Sequence, residues 1–281
     1  MNRAIWKHFT FQAGPGLLLA LIVLVTFLPF LVRLDLVLAP RSGLGTDLGV
    51  VHWSRLLGYA RALREQGQMP VWDDSTALGR PLAGDPDALW LYPFDLVFLV
   101  VPPAAAFSIL AVAHVFLAGL LAMWFCREGL QTLRGAALMG GLAFMLTPKF
   151  IAHLAAGHVG IAYSFTWLPL VMLGTNLMAY GQRRGAIMAG LGLALQLPAH
   201  VQIWFFTLVL MSVYFLWLWL PRVAAVFRAK RRDWRPAVTR AGLFVLAVAV
   251  FAGLCALVLL PFLGLLPLSS RAAFTAQDAA W

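Results

Sequence analysis

"GAIMAGLGLALQLPAHVQIWFFTLVLMSVYFLWLWLP", residues 185–221, carries no charged side chain anywhere along its length. At about 1.5 Å per residue, one helix of that length would run to nearly twice the roughly 30 Å of hydrocarbon in a bilayer. The stretch therefore predicts two crossings, divided at "LPAH" (197–200), where Pro198 interrupts helical bonding. Both outer ends are basic, with Arg183 and Arg184 before the run and Arg222 after it. Basic flanks mark cytoplasmic ends, so the turn at 197–200 is expected outside.

The neighbouring segments repeat the pattern. Residues 135–182 lie between Arg134 and Arg183, with "TPKFIAHLAAGH" (147–158) as the turn between two helices. Nothing is charged from Phe9 through Val32, and Arg3 and Lys7 precede that run. We read an uncleaved first helix there rather than a secretory signal, because Pro40 directly after "LVLA" makes a poor cleavage site. Pro102 and Pro103 block a helix running on from residue 96, so the next span is expected to start near Ala104. Seven crossings result, near 16–33, 104–126, 135–151, 160–180, 185–197, 200–220 and 241–262, with the N-terminus cytoplasmic and the C-terminus extracytoplasmic.

Composition agrees with this all-α integral membrane class. The 281 residues are 62% hydrophobic and 11% charged, with mean hydropathy +0.85, whereas soluble domains are about a quarter charged. Cys126 and Cys255 are far apart in sequence and sit in or beside apolar helices, so no disulfide framework is expected. The expected inside segments hold 13 of the 21 basic residues and only two acids, Glu128 and Asp233; the outside segments hold the other 8 basic residues and 9 acids. That gives +11 inside and −1 outside, which together make the formal +10. The basic cluster "RVAAVFRAKRRDWR" (222–235) adjoins two spans, so its expected partner is anionic lipid headgroups and not nucleic acid.

Residues 34–103 form one long outer connection that holds most of the acids, and long loops on a rigid scaffold often carry function. Between Gly49 and Gln66, the residues Val50, Trp53, Leu56, Leu57, Ala60 and Leu63 recur at helical spacing. They predict an amphipathic helix lying on the outer membrane surface. Asp47, in "GLGTDLGVVHW" (43–53), precedes its first turn. It has two readings: an N-terminal cap, shared with Thr46, or a catalytic carboxylate. Further on, Asp85-Pro-Asp87 can hold a hard divalent cation such as magnesium or manganese through oxygen ligands, or can be solvated turn residues.

Several patterns resemble the bacterial YfhO-like membrane proteins and, through them, the GT-C fold of polyprenyl-phosphate-sugar-dependent glycosyltransferases. They are "GTDL" (45–48), "GQMPVWDD" with "GRPLAGDPDALWLYP" (67–93), "AHVFLAGLLAMWFCREGL" (113–130), "GHVGIAYSFTWLPLVML" (157–173) and "PAHVQIWFF" (198–206). The resemblance implies that Asp47 is a catalytic carboxylate near the membrane surface, as base or metal-binding group. There a general base removes the acceptor hydroxyl proton and the lipid phosphate leaves, usually with inversion. Arg80, Lys149 and His158 fall on the expected outer side and are candidate phosphate contacts. His200 and Gln202, in the 197–202 turn, are candidates for bonding the sugar, and Asp85 and Asp87 for the cation. His114 is expected to be an interhelical hydrogen-bonder, and His153 can share a face with His158 without making a metal signature. Family members are usually longer, so the resemblance implies either the N-terminal module of a longer protein or a reduced form. A lipid or polysaccharide transporter, and a non-catalytic assembly protein of the same fold, are the rival readings.

Overall fold

The computed structural model describes residues 13–33, 46–73, 79–85, 89, 91–229 and 233–268, with only the backbone of Ala13, Val50 and Arg80. Eleven α-helices build these segments. In chain order they are α1 (Ala13–Val32), α2 (Trp53–Gln66), α3 (Pro103–Trp124), α4 (Arg134–Met145), α5 (Pro148–Ala155), α6 (Val159–Thr166), α7 (Leu168–Ala179), α8 (Arg183–Gln196), α9 (Val201–Arg228), α10 (Arg235–Leu254) and α11 (Ala256–Leu265). A π-helix, Leu48–His52, leads into α2, and a 3-10 helix, Pro93–Leu99, precedes α3. Strands β1 (Trp72–Asp73) and β2 (Arg80–Pro81) pair antiparallel, with Trp72 opposite Pro81.

Among the described residues six stretches are long and apolar enough to cross a membrane: Gly14–Val32, Pro103–Gly129, Arg134–Ala155, Val159–Ala179, Val201–Arg228 and Arg235–Leu254. The chain is thus an all-α protein with multi-pass membrane character. The crossing expected at 185–197 is the exception, because α8 has only 14 residues. Its packing nevertheless runs antiparallel along the whole of α6 and α7. A Cβ on Gly185 would fall on Met178 N, one on Gly192 on Val171, and one on Gly160 on Ala199 O. The α8 helix and the turn after it therefore return through the same depth as the 21-residue stretch Val159–Ala179. These glycines bring the backbones close, which is how helices associate where no hydrophobic drive separates lipid from side chain.

Boundaries moved where proline or glycine acts. Pro103 opens α3, as the proline pair requires. The expected turn over 147–158 is mostly helix: Pro148 starts α5, and the chain reverses only at Ala156–His158. Pro221 lies inside α9, which continues to Arg228. The span expected at 241–262 begins earlier and breaks at Cys255, where α11 takes over. Both cysteines are free.

Helix α2 is amphipathic, but part of its apolar face is covered by protein. Leu56, Tyr59 and Ala60 are buried, Trp53 stacks on Phe107 of α3 at 5.5 Å, and Arg64 donates to the carbonyls of Phe98 and Leu99 at the end of the 3-10 helix. These partners cover part of the face that the pattern alone assigns to lipid, and Trp53, Leu57 and Leu63 of that face stay half-buried.

Candidate functional site

The connection between α1 and α3 meets the bundle at Thr46. Gly49 N–H donates to Thr46 Oγ1 at 3.4 Å, whereas Asp47 makes no cap hydrogen bond although its backbone is already helical. Capping thus falls to Thr46, and the Asp47 carboxylate is left to face other groups. The π-helix that follows, a form found mostly as single turns near functional sites, brings His52 within electrostatic reach of Asp47.

A second turn docks against this one. Gly157 has φ +79°, and a Cβ there would lie 2.8 Å from both the nitrogen and the Cβ of Leu48. Only glycine permits that approach without strain. It sets the next residue, His158, with Nε2 3.3 Å from Asp47 Oδ2. On its other edge, His158 Nδ1 lies 3.0 Å from His153 Nδ1. His153 and Lys149 are four residues apart on α5, hence on one face. They edge a mainly apolar cleft whose other walls include Phe150, Phe165 and Ile203.

The third turn is 197–200. His200 caps α9, its Nδ1 accepting from Ile203 N–H at 3.4 Å, and its ring is close enough to His52 and His153 to influence both electrostatically. Four of the six histidines therefore lie near one another, two of them, His52 and His158, within reach of the Asp47 carboxylate. His52 is buried, and burial lowers its pKa to about 4; His200 and His158 push it the same way, and Asp47 opposes them. It is neutral at physiological pH.

Of the residues expected to act together, Asp47, His158 and His200 converge and Lys149 stands at the cleft edge. Gln202 is exposed on α9 and has no part in the cluster. Arg80 lies in β2 with its side chain outside the described atoms, and Asp87 lies outside the described residues. Asp85 is engaged by Arg55 at 3.6 Å. Among the described residues no group of three histidine, cysteine or acidic side chains is close enough to hold a metal ion. Asp85 is thus the only described member of the expected Asp85–Asp87 pair, since Asp87 lies outside the described residues.

A separate buried polar cluster lies where the connection before α3 meets the bundle. His114 Nδ1–H donates to Leu110 O at 2.7 Å, so its Nε2 accepts from the Tyr92 hydroxyl at 2.6 Å, and Trp167 Nε1–H donates to that same hydroxyl at 2.9 Å. His114 thus bonds its own helix and Tyr92 in the connection before α3, and not a second helix as expected. Leu89 and Leu91 both take left-handed backbone angles (φ 54° and 62°) just before Tyr92, a conformation costing roughly 1–3 kcal/mol per residue. Tyr92 stacks on Tyr163, and beside them Asp95 is 1% exposed with neither carboxylate oxygen hydrogen-bonded among the described residues. Burial holds its pKa well above the ordinary carboxylate range.

The sequence reading passed over His52 and Asp95. An acid inside the apolar run "YPFDLVFLV" (92–100) was the available signal for Asp95. His52 had only its five-residue distance from Asp47, which means little unless the turn is known to be π. Comparison with protein-family models, with curated proteins and with solved structures finds no match for the chain.

Proposed function

We propose that the chain is a membrane glycosyltransferase of GT-C type that moves a sugar from a polyprenyl phosphate to a cell-envelope acceptor. In this reading the site end faces outward from the bacterial inner membrane, and the N-terminus is cytoplasmic. The observation that carries it is the Asp47 carboxylate, paired with His158 beside an apolar cleft whose rim holds Lys149 and His153. A lipid-linked sugar needs an apolar groove for its chain, positive groups for its phosphate, and a negative group to drive proton removal from the attacking hydroxyl. The acceptor oxygen bonds to the anomeric carbon, the carbon–phosphate-oxygen bond breaks, and the lipid phosphate leaves with the electron pair and is held by Lys149. The opposite end, with Arg127, Arg134, Arg183, Arg184 and Arg222, contacts anionic headgroups.

The test is sugar transfer in proteoliposomes, using radiolabelled polyprenyl-phosphate glucose and mannose as donors and extracted envelope polysaccharide as acceptor. Asp47→Asn is expected to abolish transfer and leave the folded protein's gel-filtration profile unchanged. Full activity in the purified variant overturns the proposal, and movement of the donor across the bilayer without transfer favours the transporter reading.

A further inference from the structure

We propose that the acceptor proton is taken by Nε2 of His153, and that Asp47 acts on it through His158 and not by direct contact. The proposal rests on the glycosyltransferase reading for its substrate, and on the side chains alone for its proton path.

His153, with Lys149, lines the cleft; neither Asp47 nor His158 does. The space itself is small, about 30 Å³, enough for a hydroxyl group and not for a whole substrate, and the group that faces it is thus an imidazole. One set of tautomers accounts for both short separations. An ionised Asp47 beside His158 Nε2 favours a proton on that nitrogen. Neutral His158 then has a lone pair on Nδ1, and the 3.0 Å contact requires His153 to donate its own Nδ1–H. His153 Nε2 is left with a lone pair, and among the described residues it has no protein partner.

Proton balance follows from this arrangement. When Nε2 takes the hydroxyl proton, His153 becomes an imidazolium. Its Nδ1 proton can cross the short contact to His158, which then donates from both nitrogens, one toward His153 and one toward Asp47. The positive charge ends beside the carboxylate and away from Lys149. The charged or titratable groups that face His153 are Lys149 on its own helix, and His158 and His200 from the two turns packed against it. His52, beyond Asp47, is neutral. A carboxylate acting through an intervening ring has the logic of the acid in a hydrolase triad, which orients a histidine and stabilises its cation without taking the proton.

Histidine-labelled NMR of the whole chain in lipid nanodiscs reads the path without substrate. His153 is expected to carry its proton on Nδ1 and His158 on Nε2. Asp47→Asn should lower the titration midpoint of His153 by about one pH unit, and in a His158→Phe background the same substitution should leave it unmoved. A His153 midpoint that ignores Asp47 in the wild-type background overturns the proposal. So does equimolar zinc that shifts both Nδ1 signals, since two ring nitrogens at this spacing would then be metal ligands. In the transfer assay, His153→Gln should lower kcat about 100-fold at unchanged donor KM, whereas Lys149→Met should raise KM. Wild-type protein that transfers sugar from neither donor overturns the glycosyltransferase reading, while the titration decides the coupling of His153 to Asp47 independently.

Discussion

Among the described residues Asp95 has no counterion and no hydrogen bond for either oxygen, yet it is almost completely buried. A carboxylate so placed avoids the cost of a buried charge by holding its proton. Its pKa in the fold is raised above the unfolded value near 4. The stabilisation is therefore full below about pH 4 and is lost as pH climbs through the folded pKa, at up to about 1.4 kcal/mol per pH unit. Asp95→Asn, a neutral isostere, should match the wild type in thermal stability near pH 4 and exceed it at neutral pH. Equal destabilisation at both pH values would mean that Asp95 is ionised and partnered. Residues of this kind show where sequence reading stops. Asp47 was legible because it stands alone between glycines in a chain poor in charge, and Thr46 was already one of two candidate caps. Which of them caps depended on Gly157, more than a hundred residues away, pressing on Leu48. His153 was visible as a neighbour of His158, but its place on the cleft required the helical turn begun by Pro148.

At the scale of elements, the tightest packing is between α7 and α8. A Cβ on Gly174 would lie 2.5 Å from Ala189 N, and α8 is pressed from its other side by α10, where a Cβ on Gly190 would meet Ala247 O at 2.6 Å. Backbone lies on both flanks, so neither neighbour can yield by turning a side chain. Gly185→Val should therefore part α7 from α8 and destabilise the fold by more than the roughly 1–3 kcal/mol of ordinary overpacking. The expected readout is a fall of several degrees in Tm in detergent, with cysteine 255 becoming reactive as its burial against α8 at Ala194 O is lost. An unchanged Tm would show that the interface is looser than these distances. Element identity was well predicted by apolar runs and prolines, since both act locally. The environment of α2 was not, because an apolar stripe says only that a face is covered. Whether lipid or Phe107 covers it is a tertiary fact.

Over the whole molecule, the two ends differ in chemistry. One gathers Asp47, the histidine cluster and the acid-bearing connection; the other gathers Arg127, Arg134, Arg183, Arg184 and Arg222, with Arg222 stacked over the Tyr180 ring at 4.4 Å. The charge pattern in the sequence anticipated this division, because lysine and arginine retained on one side are what orient a chain during insertion. The count of crossings depends on α8, which is too short by itself to span about 30 Å but follows Val159–Ala179 in antiparallel register to the turn at 197–200. If that register is a crossing, Gln182 and Gln202 lie at opposite membrane faces. The expectation is tested in a Cys126→Ser, Cys255→Ala background with single cysteines introduced as Gln182→Cys and Gln202→Cys. A membrane-impermeant thiol reagent added to intact cells should label position 202 and not 182; after the membrane is opened, both should react. Labelling of both from outside would leave six crossings and a re-entrant α8, and labelling of 182 alone would invert the orientation and put Asp47 on the cytoplasmic face, where an externally presented lipid-linked sugar does not reach.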